Sequence, residues 1–187
     1  MRQAVAAQRA EVEWEFQAGQ HQLRLSDKVQ LTLGGQADRR SVRSNDRGDH
    51  AVWHQGAFAV AGLTPTSGLS VTAALRLDHD QAYGTEVLPQ LTASQLLGEK
   101  LTVRAAVGRA IRAANFTEQY NSAIRPGMVP NGFNVGHPGL AAERTWSYEG
   151  GLDFTVCPAL TLRGTYFNRY GRNLIDYVAT PGSEVQA

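Results

Sequence analysis

A single cysteine, Cys157, is present in the 187 residues, which rules out an intrachain disulfide and any cysteine-rich metal centre. Charge is also scarce: 19% of residues are charged and the formal net charge is +1. No basic surplus or charged run points to nucleic acid or to a solvated tail. No stretch approaches the ~18 consecutive apolar residues of a membrane-spanning helix. This says nothing against a β-barrel, whose strands alternate apolar and polar residues and so look mild on average. Residues 1–10 also lack the apolar core of a secretory signal.

Glycine, by contrast, is plentiful. The 19 glycines suit a fold rich in turns and close backbone approaches, and they suit a helical bundle badly. The dominant pattern has period two, the signature of strands. From Val29, the residues Leu31, Leu33, Gly35 and Ala37 share one side, against Gln30, Thr32, Gln36 and Asp38. From Leu69, the apolar set Val71, Ala73, Leu75 and Leu77 opposes Ser70, Thr72, Arg76 and Asp78. Similar runs begin at Leu101, at Trp146 (Tyr148, Leu152 and Phe154 against Glu149 and Asp153) and at Leu160 (Leu162 and Tyr166 against Thr161, Arg163 and Thr165).

Three weaker segments complete the set. Residues 87–97 alternate, with Pro89 near the start, and residues 51–63 have a muddled phase. In the first segment Val12, Trp14 and Phe16 fall on even positions but Leu23 and Leu25 on odd ones, so a bulge is expected at Ala18-Gly19-Gln20. The sum is about eight strands, several near the ~9–11 residues that cross a bilayer at a tilt. Connections are expected to alternate. Residues 26–27, 64–68, 98–100 and 157–159 look tight, whereas residues 43–50, 79–86 and 110–144 look long. Short turns on one side and long loops on the other fit an outer-membrane barrel better than a sandwich. Aromatic residues at strand ends (Trp146, Tyr148, Phe154, Tyr166, Phe167, Tyr170) fit the rings that mark a lipid–water boundary.

From Gly108 onward the sequence resembles the late barrel of TonB-dependent receptors. The family's Gly-x-x-x-Arg-x-Pro-x-x-x-Glu-x-Tyr segment corresponds to Gly108, Arg112, Ala114, Glu118 and Tyr120, with Asn115, Phe116 and Thr117 between them. Its Asn-Pro-x-Leu-x-Pro-Glu segment corresponds to His137, Pro138, Gly139, Leu140, Ala141, Ala142 and Glu143, followed by Tyr148, Glu149 and Gly150. The likeness runs through residues 1–187 as one partial barrel domain and is strongest over 101–177. The departures are Ala114 and Ala142 in place of prolines and His137 in place of asparagine.

The resemblance implies an all-β fold, an antiparallel up-and-down meander forming a segment of a transmembrane outer-membrane barrel. It implies a receptor of a Gram-negative outer membrane that imports a metal chelate such as a siderophore, haem or cobalamin. Its partners would be outer-membrane lipid, the TonB complex, a plug domain and the chelate, with no nucleic acid and no cofactor. Outer-membrane transporters reach 22 strands around a plugged lumen. The chain, without a visible plug, is therefore expected to begin inside a longer protein and to leave its first and last strands unjoined. Two alternatives stand beside this reading: a complete small eight-stranded barrel with a structural or adhesive role, and a soluble β-sandwich binding module.

The motif residues Gly108, Arg112, Asn115, Phe116, Glu118, Tyr120, Pro138, Leu140 and Glu143 are expected to shape a loop at the barrel mouth. Arg76, Arg104, Glu149, Asp153 and Arg163 fall on polar faces and are candidates for the barrel lumen, gripping a plug or passing an anionic chelate. Asp46, Asp49, His50, Asp78, His79 and Asp80 cluster near strand ends, but without the ligand spacing of a calcium loop they read as hydrated loop and not as a metal site. His21, His54 and Cys157 read as structural. No nucleophile–base constellation or phosphate loop stands out, so catalysis is not expected.

Overall fold

Alternating side chains let one strand face two environments, and here every strand uses that property within one layer. The structure, a computed structural model, describes residues 10–121 and 135–177. It contains β1 Ala10–Ser26, β2 Val29–Ser44, β3 Gly48–Leu63, β4 Leu69–Asp80, β5 Gly84–Leu97, β6 Leu101–Arg112, the helical turn α1 Phe116–Tyr120, β7 Glu143–Cys157 and β8 Leu160–Arg172. The strands lie in a single sheet in sequence order, each antiparallel to its neighbour. No second layer packs against the sheet among the described residues, which excludes the sandwich. β1 and β8 lie at opposite edges of the order and do not pair, which excludes the closed eight-stranded barrel.

Paired residues of an antiparallel ladder share a face, so the registers define two surfaces. Leu31, Ala61, Ala73, Leu91, Val107 and Tyr148 form a row on one of them. Leu75, Leu77, Tyr148 and Leu152 on this outer face are all exposed, and Leu69, Val71 and Trp146 are half-buried. Thr72, Thr92, Ala106 and Glu149 form a row on the opposite, inner face, against which α1 packs.

Several expectations need correction. Residues 43–50 and 79–86 are not long loops. β2, β3, β4 and β5 run on through them, leaving only the turns 45–47 and 81–83. Polar residues here belong to strand ends, and composition cannot separate a polar strand end from a loop. Only the β6–β7 connection, residues 113–142, is long. The bulge at Gly19 is also absent: β1 pairs with β2 without interruption from Ala10↔Ser44 to Arg24↔Gln30, and the irregularity lies between Arg24 and Ser26. The first strand is thus a full partner, and Val12, Trp14 and Phe16 face inward. The muddled phase of β3 has a similar cause, because Phe58 is an inner-face apolar residue seated over Gly34, where a Cβ would lie 2.3 Å from its ring.

By sequence, residues 178–187, with Pro181 and Gly182, are expected to be loop and not wall; they lie outside the described residues. Among the tight turns, Gly68 has φ +91° and a Cβ there would meet the Leu96 side chain at 3.2 Å, a conformation that glycine adopts without strain.

The outer edges of β1 and β8 carry unpaired backbone groups, and the outer face carries contiguous apolar side chains. Expressed by itself in detergent-free buffer the chain is therefore expected to aggregate. Sedimentation of the refolded protein measures this, and a soluble, dispersed monomer would contradict the assignment of the outer face.

Candidate functional site

The motif residues from the end of β6 and the start of β7 meet around one guanidinium. Arg112 pairs in register with Glu143 and forks onto it, Nε donating to Oε2 at 2.9 Å and Nη2 to Oε1 at 2.8 Å. Its Nη1 donates to Glu118 Oε1 at 2.9 Å. Glu118 in turn closes a capping box with Asn115: the Asn115 amide donates to Glu118 Oε2 at 2.8 Å, and the Glu118 amide donates to Asn115 Oδ1 at 2.9 Å. Glu143 Oε1 also accepts the Ile175 amide at 2.7 Å. A single arginine therefore ties together β6, α1, β7 and the segment after β8.

The two arms of the loop are stapled as well. The His137 amide donates to Glu118 O at 2.9 Å, and the Gly136 amide donates to Asn121 O at 2.6 Å. Pro138 is exposed and Leu140 half-buried, in the turn closed by the Leu140 amide on His137 O. Ala114 and Ala142, at the positions where the family carries proline, are both buried. α1 leans over the inner face: the Tyr120 ring stacks on His50 of β3 at 3.6 Å and 9°, with Phe116 at 6.4 Å. Beneath it, Val12, Trp14, Arg40, Val52, Phe116 and Gln119 line a crevice of about 170 Å³. Gly108 lies below this stem, at the last β5–β6 pair, Gln90↔Gly108.

The five lumen candidates share the inner face. Arg104 Nη2 contacts Asp153 Oδ1 at 2.9 Å, Arg163 Nε lies 3.9 Å from the same oxygen, and Arg76 Nη2 contacts Asp78 Oδ1 at 2.7 Å. Glu149 is exposed and borders a recess of about 220 Å³ with Ser70, Thr92, Ser94 and Arg104.

Sequence reading missed a denser inner-face network. His54 Nδ1 lies 2.6 Å from Asp38 and its Nε2 3.2 Å from Asp78, while Arg40 bridges Asp38 and Asp80. Asp38, His54, Asp78 and Asp80 are all at most 9% exposed. Their signal was even-numbered polar positions recurring in three consecutive strands, visible only once register is known. The same pairing removes Asp78 and Asp80 from the pool of metal ligands. Asp46 bonds Ser44, His50 Nε2 lies 2.7 Å from Arg47 O and His79 Nδ1 lies 2.8 Å from Thr85 Oγ1. No cluster suited to a metal ion occurs among the described residues.

Two measurements follow from this geometry. Arg112→Gln removes both forks, so the amides of Gly136, His137 and Ile175 should exchange with solvent about tenfold faster, the scale of one lost charged hydrogen bond. Unchanged protection by hydrogen-exchange mass spectrometry would mean that the stem is held by something else. Tyr83, in the turn 81–83, has its phenol pushed up to about 12 by burial and then by the Asp80 and Asp78 carboxylates. Its contribution to stability is complete below its ordinary value near 10 and declines as pH rises from there to about 12. A spectrophotometric titration in which Tyr83→Phe fails to remove the last-ionising phenol would contradict this placement.

The chain matches the family described as TonB dependent receptor-like, beta-barrel, over residues 10–186. It is 33% identical over 96 residues to the ferric enterobactin receptor PirA of Pseudomonas aeruginosa, covering 46% of this chain and 13% of that protein. A second ferric enterobactin receptor of the same organism is 28% identical over 131 residues, covering 66% of this chain and 17% of that protein. The crystal structure of the siderophore receptor PirA from P. aeruginosa superposes with a TM-score of 0.73 at 24% identity, covering 86% of this chain and 32% of that one. The chain thus spans less than a third of each of these relatives. With a match that runs from the first residue of β1 to beyond β8, the chain belongs to the TonB-dependent receptor β-barrel family.

Proposed function

We propose that these strands form part of the wall of an outer-membrane receptor that takes up a ferric siderophore or a related metal chelate, energised through TonB. The observation that carries this reading is the family match along the whole sheet, joined to a single layer with an apolar outer face and an ion-paired inner one. Two of the relatives are named for ferric enterobactin, which supports a siderophore over haem or cobalamin. The outer face would meet lipid. The inner residues Arg76, Arg104, Glu149, Asp153 and Arg163 would line the lumen against a plug domain and the passing chelate. The loop stem built on Arg112, Asn115, Phe116, Glu118, Tyr120, Pro138, Leu140 and Glu143 would frame the outer mouth. The relatives are named as receptors, and no catalytic constellation is proposed.

The test is uptake. A complete receptor whose wall includes these strands, supplied to a Gram-negative strain deleted for its own siderophore receptors, is expected to restore accumulation of radiolabelled iron from a ferric siderophore. Accumulation should vanish when TonB is deleted as well. No accumulation with any of a panel of siderophores, or accumulation indifferent to TonB, would overturn the proposal.

A further inference from the structure

The wall is not continuously zipped. β5 keeps β4 as its partner up to Asp80↔Gly84, and β6 keeps β7 up to Arg112↔Glu143, yet β5 and β6 pair only from Leu97↔Leu101 to Gln90↔Gly108. Residues 84–89 and 109–112 are strand, but toward each other they are unpaired. The cause can be read in the ladder. The Leu96 amide donates to Gly68 O, on the β4 side. Alternation therefore assigns the even-numbered amides of β5 to β4 and the odd-numbered ones to β6. Pro89 is the next odd residue past the last β5–β6 bonds, and it has no N–H to give.

Side chains occupy the split. Glu86, 8% exposed, accepts from Arg109 Nη2 at 2.6 Å and from Arg144 Nε at 2.8 Å. Arg109 Nη1 donates to Val87 O at 2.5 Å, taking up a carbonyl that the missing ladder leaves free. Glu86 belongs to the β1–β5 side, and both arginines belong to the β6–β8 side. Two ring contacts also cross this line among the described residues, from Phe116 and Tyr120 of the α1 turn to His50 of β3.

We propose that the β5–β6 junction is a hinged seam, at which the outer part of the wall opens as two leaves. The Glu86 carboxylate between Arg109 and Arg144 is the latch, and the Tyr120–His50 stack is a second fastener. Swinging of the β6–β8 leaf carries the Arg112-anchored loop stem away from the inner face of β1–β3 and uncovers the crevice beneath α1. The split begins beside Ser147, at the level of the stacked Trp146 and Tyr148 rings. Backbone groups freed by opening therefore lie where water can reach them, whereas the same gap within hydrocarbon would be prohibitive. The latch is electrostatic: without its carboxylate, the two guanidiniums of the β6–β8 leaf lose their shared partner on the β1–β5 leaf.

Dipolar EPR on the intact gene product extracted in detergent tests this, with nitroxides on Thr85→Cys and Ala110→Cys and with Cys157→Ser. The parent should give one narrow distance. Glu86→Gln is expected to lengthen and broaden it by about one strand spacing, ~5 Å. Pro89→Val restores the missing donor, and is expected to shorten the distance and to make it insensitive to Glu86→Gln. If Glu86→Gln does not fold, Arg144→Gln, which leaves the Arg109 pair standing, is read the same way. A distance unchanged by these latch variants would overturn the hinge, as would a Pro89→Val protein that still widens when Glu86 is neutralised.

Discussion

The backbone ladder holds this wall together, because there is almost no core to do it. Among the described residues, the buried apolar side chains are only Val42, Ala114 and Ala142. Apart from the two at the edges, the strands are paired with a neighbour on both sides over most of their length, and each such bond contributes about 0.5–1.5 kcal/mol net in water and more where water is excluded. A single-layer sheet of this kind has no reason to exist in water, where its outer face would be an exposed apolar patch. In a bilayer that face is solvated by lipid, and the ladder becomes obligatory.

With the middle of the outer face given to apolar side chains, most of the ion pairs among the described residues lie on the inner face. Asp38, Asp78 and Asp80 meet Arg40, Arg76 and His54 across three strands. Lower on the face, Asp153 meets Arg104 and Arg163. Breaking one partner of the buried Asp38, His54, Asp78 and Asp80 set is costly because it strands the other charge. These pairs therefore specify how neighbouring strands sit side by side, a job that core packing does in other folds. The Glu86 triad is the same chemistry used where the ladder itself stops.

The long β6–β7 connection depends on that frame. Its stem is fixed by a guanidinium with two carboxylates and by a capping box, not by apolar burial. This suits a stem that is ordered at its base while α1 leans over the inner face. Ala114 and Ala142 fill the positions where related barrels carry proline, and they are small enough to be enclosed by the stem.

Much was legible from sequence alone. Period-two alternation in residues 29–37, 69–77, 101–107, 146–156 and 160–166 identified the strands and their apolar sides, since side chains in a strand must alternate whatever surrounds them. The order and spacing of Gly108, Arg112, Glu118, Tyr120, Pro138, Leu140 and Glu143 identified the family before any geometry was known. The strand extents were not legible, because a polar strand end and a polar loop have the same composition: residues 43–50 and 79–86 proved to be mostly strand. Nor was the inward orientation of Val12, Trp14 and Phe16, which depends on β1 keeping an unbroken register with β2. His54 looked structural and unremarkable until register set it between Asp38 and Asp78. The sequence by itself determined which residues alternate and which motif they carry, because these are local properties of the chain. Only tertiary structure decided which distant charges meet, and where Pro89 parts β5 from β6, because both depend on how separate strands are aligned.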